Sequence, residues 1–176
     1  MKFMQTKRIR HSAGLIMLTA LAALLSGCGA YRLGSSLPPG INVINIPTFI
    51  NKTSEPLLEV VTTAATISEI QRDGTLSLGD LNKSDVVLYV SLTGLRLAPL
   101  RYEAETTTTA REYRLTITAS IRLENRVSGK VMMRSVVIGE RDFIPAGDLS
   151  SAKRDALPPA SADLAHSIVE KVVEYW

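Results

Sequence analysis

Between Tyr113 and Glu124 the chain alternates without a break. Tyr113, Leu115, Ile117, Ala119, Ile121 and Leu123 are apolar, while Arg114, Thr116, Thr118, Ser120, Arg122 and Glu124 are polar. A period of two sends the first set to one face of a β-strand and the second set to the other. Such a strand needs a sheet with one covered face and one wet face, and a second layer to do the covering. Val86–Thr93 repeats the pattern with Val86, Leu88, Val90 and Leu92 on one face, and Arg96–Tyr102 extends it past a bulge at Gly94. Asn125–Gly129 reads as a hairpin turn, after which Lys130–Ile138 returns antiparallel. Glu103–Thr109, with its four consecutive threonines, reads as a polar loop or an edge extension. Upstream, Ile41–Ile46 is a strand stopped by Pro47, and Thr75–Leu78 is a short one.

Two helices supply the covering layer. Ser54 stands where an N-cap belongs, with Glu55 and Pro56 in the first turn. Leu57, Val60, Val61, Ala64 and Ile67 then form a helical stripe running to about Gln71, and Gly74 ends it. Gly139–Pro159 reads as irregular, with one helical turn around Ser151–Ala156. From Ala160 onward Leu164, Ile168, Val172 and Tyr175 mark a second amphipathic helix ending at Trp176. The expected fold class is α+β, a two-layer sandwich of a mainly antiparallel four- to five-stranded sheet with two helices packed on one face. Residues 41–176 make one such domain, with no internal repeat.

The N-terminus carries a different signal. Lys2, Lys7, Arg8 and Arg10 precede Leu15–Leu25, an apolar run too short to span a bilayer but suited to a signal-peptide core. It ends in Leu25-Ser26-Gly27-Cys28, a lipobox-like sequence: small residues fit a narrow peptidase cleft, and a thiol at the new N-terminus can carry a diacylglycerol thioether. The alternative is ordinary secretory cleavage near Gly29 or Ala30. Residues 1–27 are therefore expected to be a lipoprotein signal peptide and 28–40 a lipid-anchored tether rich in Gly, Ser and Pro. Tyr31-Arg32-Leu33 follows the lipid site directly. Cys28 is the single cysteine, which excludes an intramolecular disulfide.

Losing the leader removes four of the 20 basic residues and none of the 17 acidic ones, leaving 16 against 17. The sequence pI of about 9.1 thus belongs largely to the leader, and charge gives no argument for nucleic acid as a partner. The chain contains no nucleophile elbow and no phosphate loop. His166 has Asp163 and Glu170 at i−3 and i+4, a spacing that could orient a base or hold a metal; the plainer reading is an exposed helix face. No catalytic or metal site is expected, and no cofactor beyond the diacylglycerol and acyl chain on Cys28. Among Arg101, Arg111, Arg114, Arg122, Arg126, Lys130 and Arg134, the set Arg122, Arg126, Lys130 and Arg134 lies on one short ribbon opposed nearby only by Glu124. Guanidinium forks bind phosphate in a bidentate way, so these four are the candidate anion-binding residues. For any one arginine the simpler reading is a solvated face paired with Glu103, Glu105, Glu112 or Glu124.

These pieces together resemble the lipopolysaccharide-assembly lipoprotein family LptE. Gly27-Cys28-Gly29 before Tyr31-Arg32-Leu33, Val43–Phe49 leading to Asn51–Leu57, and the order helix, three long strands, C-terminal helix carry the resemblance across residues 28–176. It implies a non-enzymatic plug and assembly factor in the lumen of the outer-membrane β-barrel LptD, helping to deliver lipopolysaccharide to the outer leaflet, and a site that binds lipopolysaccharide through basic residues. Gly29 agrees with an outer-membrane destination, since aspartate after the lipidated cysteine is the usual inner-membrane retention signal. An outer-membrane lipoprotein that activates a peptidoglycan synthase is the alternative, because it shares a similar strand, Asn-Lys-Thr and helix start. Cys28→Ala is expected to abolish lipidation and move the protein from membrane to soluble periplasm. Fractionation in a strain lacking the barrel partner checks this, and unchanged membrane partitioning would contradict the lipobox.

Overall fold

The computed structural model describes residues 40–103 and 106–174, so Cys28 and most of the tether lie outside the described residues. Strands β1 (Val43–Asn45) and β2 (Ile50–Asn51) precede helix α1 (Leu58–Asp73). Then come β3 (Ser77–Leu78), a 3-10 turn at Leu81–Lys83, β4 (Val86–Glu103), β5 (Thr106–Asn125), β6 (Val131–Phe143) and helix α2 (Leu149–Val173). They form one six-stranded sheet in the order β3-β1-β4-β5-β6, with β2 also paired to β4.

The α+β class holds, but the sheet is mixed and has more strands than expected. β4, β5 and β6 form the antiparallel half, whereas β1 runs parallel to β3 and β4, and β2 parallel to β4. The cause is the crossover through α1, which returns the chain to the end of the sheet where β1 began. Along β4, β1 sits opposite Val86 and Val87 and β2 opposite Ser91 and Leu92. They are two pieces of one line alongside β4, interrupted at Pro47, which has no N–H to give to a ladder.

The β4–β5 ribbon runs from Val86↔Asn125 to Glu103↔Thr106, so the Thr-rich stretch extends the hairpin. At ~3.3 Å per residue the ribbon is about 60 Å long. The register slips between Leu92 and Gly94, where the bulge was expected. Leu88, Leu92, Leu115, Ile117, Ile121 and Leu123 are fully buried on the covered face, with Leu164 and Ile168 of α2 in the same core.

Leu164, Ile168 and Val172 of α2 are buried as expected, with Tyr175 outside the described residues, but α1 departs from its predicted stripe. In α1 the buried residues are Leu58, Thr62, Thr63, Thr66 and Ile70, while Leu57 is 67% and Val60 53% exposed. The threonines go inward because their hydroxyls are satisfied at home. Thr62 donates to the Leu58 carbonyl (2.7 Å), Thr63 to that of Glu59 (2.6 Å) and Thr66 to that of Thr62 (2.9 Å). That leaves methyl groups for the core. Ser54 does not cap the helix. Asn51 instead donates to the Glu55 carbonyl and the Glu59 carboxylate (2.8 Å each), fixing the preceding loop, and Leu57 takes the cap position at φ +62°. Gly74 closes the helix as expected, at φ +74° with its N–H on the Ile70 carbonyl.

Helix α2 begins eleven residues before Ala160, at Leu149, and runs through Pro158 and Pro159. Asp148 caps it by accepting from the Ser151 N–H at 2.9 Å. The two prolines leave the carbonyls of Arg154 and Asp155 without helical partners, on residues that face solvent. The helices run parallel, since Glu55 meets Lys153 (2.6 Å) near their starts and Glu69 meets His166 (3.0 Å) further along. Among the described residues no helix is long and apolar enough to cross a membrane.

Gly139 lets α2 lie against the sheet. A Cβ there would stand 2.4 Å from the Leu164 nitrogen and 2.6 Å from the Ala160 carbonyl oxygen, both backbone atoms that cannot swing aside. At Gly94 the nearest atoms would be 3.7 Å away on Thr118. Gly139→Ala is therefore expected to destabilise the domain by about 1–3 kcal/mol or more, and Gly94→Ala by much less. Urea titration of the two variants checks this, and equal midpoints would refute the close helix seat.

Candidate functional site

The helices cover one face of the sheet only. On the other, successive rows across β4, β5 and β6 are read from the register. Beyond Val87, Glu124 and Val131 at the β5–β6 hairpin, the next row is Tyr89, Arg122 and Arg134. Ser91, Ser120 and Val136 come next, followed by Gly94, Thr118 and Ile138, then Arg96, Thr116 and Glu140, and finally Ala98, Arg114 and Asp142. Hydroxyl-bearing residues occupy the centre, and charge collects at the two ends.

The far end is closed by its own ion pairs. Arg114 makes a bidentate contact with Asp142 (2.7 and 2.8 Å) and reaches Glu140 at 3.2 Å, which raises its pKa further; Arg101 meets Glu112 at 3.2 Å. Here the solvated, acid-paired reading is right.

The hairpin end is different. Asn125 accepts from the N–H groups of Val127 (3.1 Å) and Ser128 (2.9 Å), and Gly129 takes φ +65°, so the turn is rigidly formed. Arg122 lies with its guanidinium carbon 4.7 Å from the Tyr89 ring centroid and is salt-bridged to Glu124. A guanidinium over an aromatic face is oriented and partly desolvated. Arg134, exposed, is its cross-strand neighbour, and like charges directly opposite repel. Among the described residues neither Arg134 nor Lys130 has an ion-pair partner. Beside this row a cavity of about 300 Å³ opens between the 3-10 turn and the hairpin, lined by Leu81, Asn82, Val87, Tyr89, Glu124 and Arg126 among others.

Arg126 belongs to the scaffold as much as to the site. Its Nε donates to the Ser84 carbonyl at 2.6 Å, and its backbone N–H donates to that of Asp85 at 3.0 Å. Asp85 in turn accepts from the N–H groups of Asn42 and Val43, both at 2.9 Å. Those two bonds, with the Arg126 charge, hold its carboxyl below the ordinary aspartate range. Of the four predicted cations, then, Arg122 and Arg134 share a row, Lys130 is exposed beside the turn, and Arg126 ties the hairpin to β1. Tyr89 was not singled out from the sequence. Its place opposite Leu88 and Val90 was legible, but its pairing with Arg122 depends on register.

The His166 constellation does not assemble. Its Nδ1 meets Glu69, whose hydrogen bond raises the imidazole pKa, while Asp163 accepts the Glu140 backbone N–H at 2.8 Å. Among the described residues no group of three His, Cys, Asp or Glu side chains is placed to hold a metal. Cys28 lies outside the described residues.

Residues 41–172 match the family described as LptE, lipopolysaccharide-assembly. Comparison with curated sequences gave no match. Among solved structures, a hypothetical protein from Chlamydia trachomatis is 10% identical with a TM-score of 0.56, covering 77% of this chain and 97% of that one. A protein from Xanthomonas campestris is 12% identical with a TM-score of 0.53, covering 80% and 88%. Rare lipoprotein B from Shewanella oneidensis is 14% identical with a TM-score of 0.49, covering 76% and 96%. At identities this low the first two likenesses speak to the fold alone.

Asp85→Asn tests the tie between β1 and the hairpin. A carboxyl with a lowered folded pKa adds stability above its unfolded pKa and loses it as pH falls through the folded value. The variant should be less stable by roughly 1 kcal/mol at neutral pH, a low figure for charge-assisted bonds because the group is half-exposed. The gap should close as the pH is lowered below the aspartate range. Thermal melts across pH check this, and a gap unchanged by acid would contradict it.

Proposed function

We propose, from the premise that this chain belongs to the LptE family of lipopolysaccharide-assembly proteins, that it is an outer-membrane lipoprotein serving as plug and assembly factor of the lipopolysaccharide translocon. In this reading Cys28 carries the lipid and the domain enters the lumen of the β-barrel LptD. Together the two help deliver lipopolysaccharide to the outer leaflet. The family match across both helices and the long strands carries the proposal, and favours it over activation of a peptidoglycan synthase. The work is binding and positioning, with no bond made or broken by the chain.

The open sheet face suits such a role. Its centre of Ser91, Ser120, Thr116 and Thr118 offers hydroxyl groups to a hydrated wall. Its hairpin end offers Arg122, already oriented by Tyr89, with Arg134 opposite and Lys130 nearby. Lys130 and Arg134, which have no ion-pair partner among the described residues, would offer donors to lipid A and core phosphates, whereas Arg122 already holds Glu124. Clustered cations also raise the local potential and speed the arrival of an anion. Arg126 contributes its remaining guanidinium donors, but its main duty is to the fold.

Lys130→Glu with Arg134→Glu is expected to weaken lipopolysaccharide binding about five- to tenfold at low ionic strength while leaving the thermal midpoint nearly unchanged. The effect should shrink as salt rises, because exposed charges are screened over ~10 Å. Equilibrium binding of the folded variant to purified lipopolysaccharide checks this. Parent affinity at low salt would remove the hairpin row from the binding site.

A further inference from the structure

The cavity of about 300 Å³ between the 3-10 turn and the β5–β6 hairpin is mixed in its chemistry. Leu81 and Val87 give it apolar carbon, and Tyr89 gives it an aromatic ring. Val87 stands on the uncovered face by register yet is only 2% exposed, so the turn and the hairpin shelter this corner from solvent. The polar lining is only partly used by the fold. Asn125 uses its side-chain oxygen on the Val127 and Ser128 N–H groups, which leaves its NH₂. Arg126 commits Nε to the Ser84 carbonyl, which leaves its terminal nitrogens. Glu124 holds Arg122 through one carboxylate oxygen and keeps the other. Among the described residues these remaining groups, and the exposed Asn82 amide, have no hydrogen-bond partner.

Donors and acceptors set beside apolar carbon match a sugar ring, whose hydroxyls both give and accept and whose C–H face packs on Leu81 and Tyr89. A bare phosphate in the cavity would meet the Glu124 carboxylate. A hydrocarbon chain would strip water from the amides without replacing their hydrogen bonds. The volume lies at the low end of small-molecule pockets, which leaves room for a single ring. Cations flank the cavity. Gly129 lines it and Lys130 follows directly, while Arg122 sits 4.7 Å from the Tyr89 ring centroid. We propose that this cavity is a saccharide subsite, which takes the sugar ring that bears a phosphate held by Lys130. The subsite rests on the hairpin being the lipopolysaccharide-binding end, and adds that the phosphate is recognised together with its own ring. The Asn82 and Asn125 amides bond the ring hydroxyls, so a bare anion and an unphosphorylated sugar are each poorer ligands than the two joined.

The test follows backbone amide shifts in NMR spectra of the full lipidated chain in detergent. The chain is titrated with N-acetylglucosamine 1-phosphate, inorganic phosphate and N-acetylglucosamine. The sugar phosphate should shift Leu81, Asn82 and Asn125 together with Lys130, saturably, whereas inorganic phosphate should shift Lys130 without Asn82. Asn82→Ala, at an exposed site, should weaken the sugar phosphate about three- to tenfold with the thermal midpoint kept, and leave inorganic phosphate unchanged. Purified lipopolysaccharide should lose affinity for the same variant by a similar factor. Should Lys130→Glu with Arg134→Glu weaken lipopolysaccharide while Asn82→Ala does not, the hairpin keeps its anion and the saccharide subsite is overturned. Should the sugar phosphate fill the cavity while lipopolysaccharide is indifferent to the charge reversals, the subsite stands and the hairpin is not the lipopolysaccharide-binding end. Sugar phosphate bound no better than inorganic phosphate, or shifts confined to Lys130 and Arg134, would also overturn the proposal.

Discussion

Both helices press on the same face of the sheet, and the rest of the molecule follows from that one-sided burial. Leu115, Ile117, Ala119, Ile121 and Leu123 are driven inward along one strand, so their alternates must face outward. The seat is close because Gly139 on β6 admits the α2 backbone at Ala160 and Leu164. With α2 held there, Asp163 reaches the edge of β6, and the Glu55–Lys153 and Glu69–His166 contacts line α1 up parallel beside it. An uncovered face carrying hydroxyls in its centre and charge at its ends is the consequence.

Much of this was legible in the chain itself. The period-two runs in β4 and β5 gave their in/out assignment, and the Gly94 bulge, the Asn125–Gly129 turn and the antiparallel return of β6 were read as well. Three features were hidden, each for a physical reason. Parallel pairing of β1 is set by where the crossover through α1 returns the chain, which no local pattern reports. The buried face of α1 was misjudged because threonine counts as polar until its hydroxyl is paid back by the carbonyl four residues earlier. The start of α2 was placed late because Pro158 and Pro159 argue against a helix, whereas Asp148 caps one that simply continues past them.

The candidate site shows the same division. Residue type and rough neighbourhood picked out Arg122, Arg126, Lys130 and Arg134. Register then separated their duties: Arg122 is stacked on Tyr89, Arg134 stands opposite it, Lys130 is exposed, and Arg126 is engaged by Ser84. Arg101 and Arg114 further along, like Arg122, have acidic neighbours in contact, whereas Lys130 and Arg134 have none among the described residues. An ion already neutralised by a well-placed carboxylate has less to offer a phosphate, which is why position along the ribbon matters more than the count of cations.

The proposed partnership with a barrel is the central claim. The most direct measurement is affinity capture of the full lipidated chain from solubilised outer membranes, with the co-purifying proteins identified by mass. The account predicts stoichiometric recovery of the LptD β-barrel, retained through washes in high salt because a lumenal plug is held by shape as well as charge. Recovery of the chain without that barrel, or with a peptidoglycan synthase in its place, would contradict it.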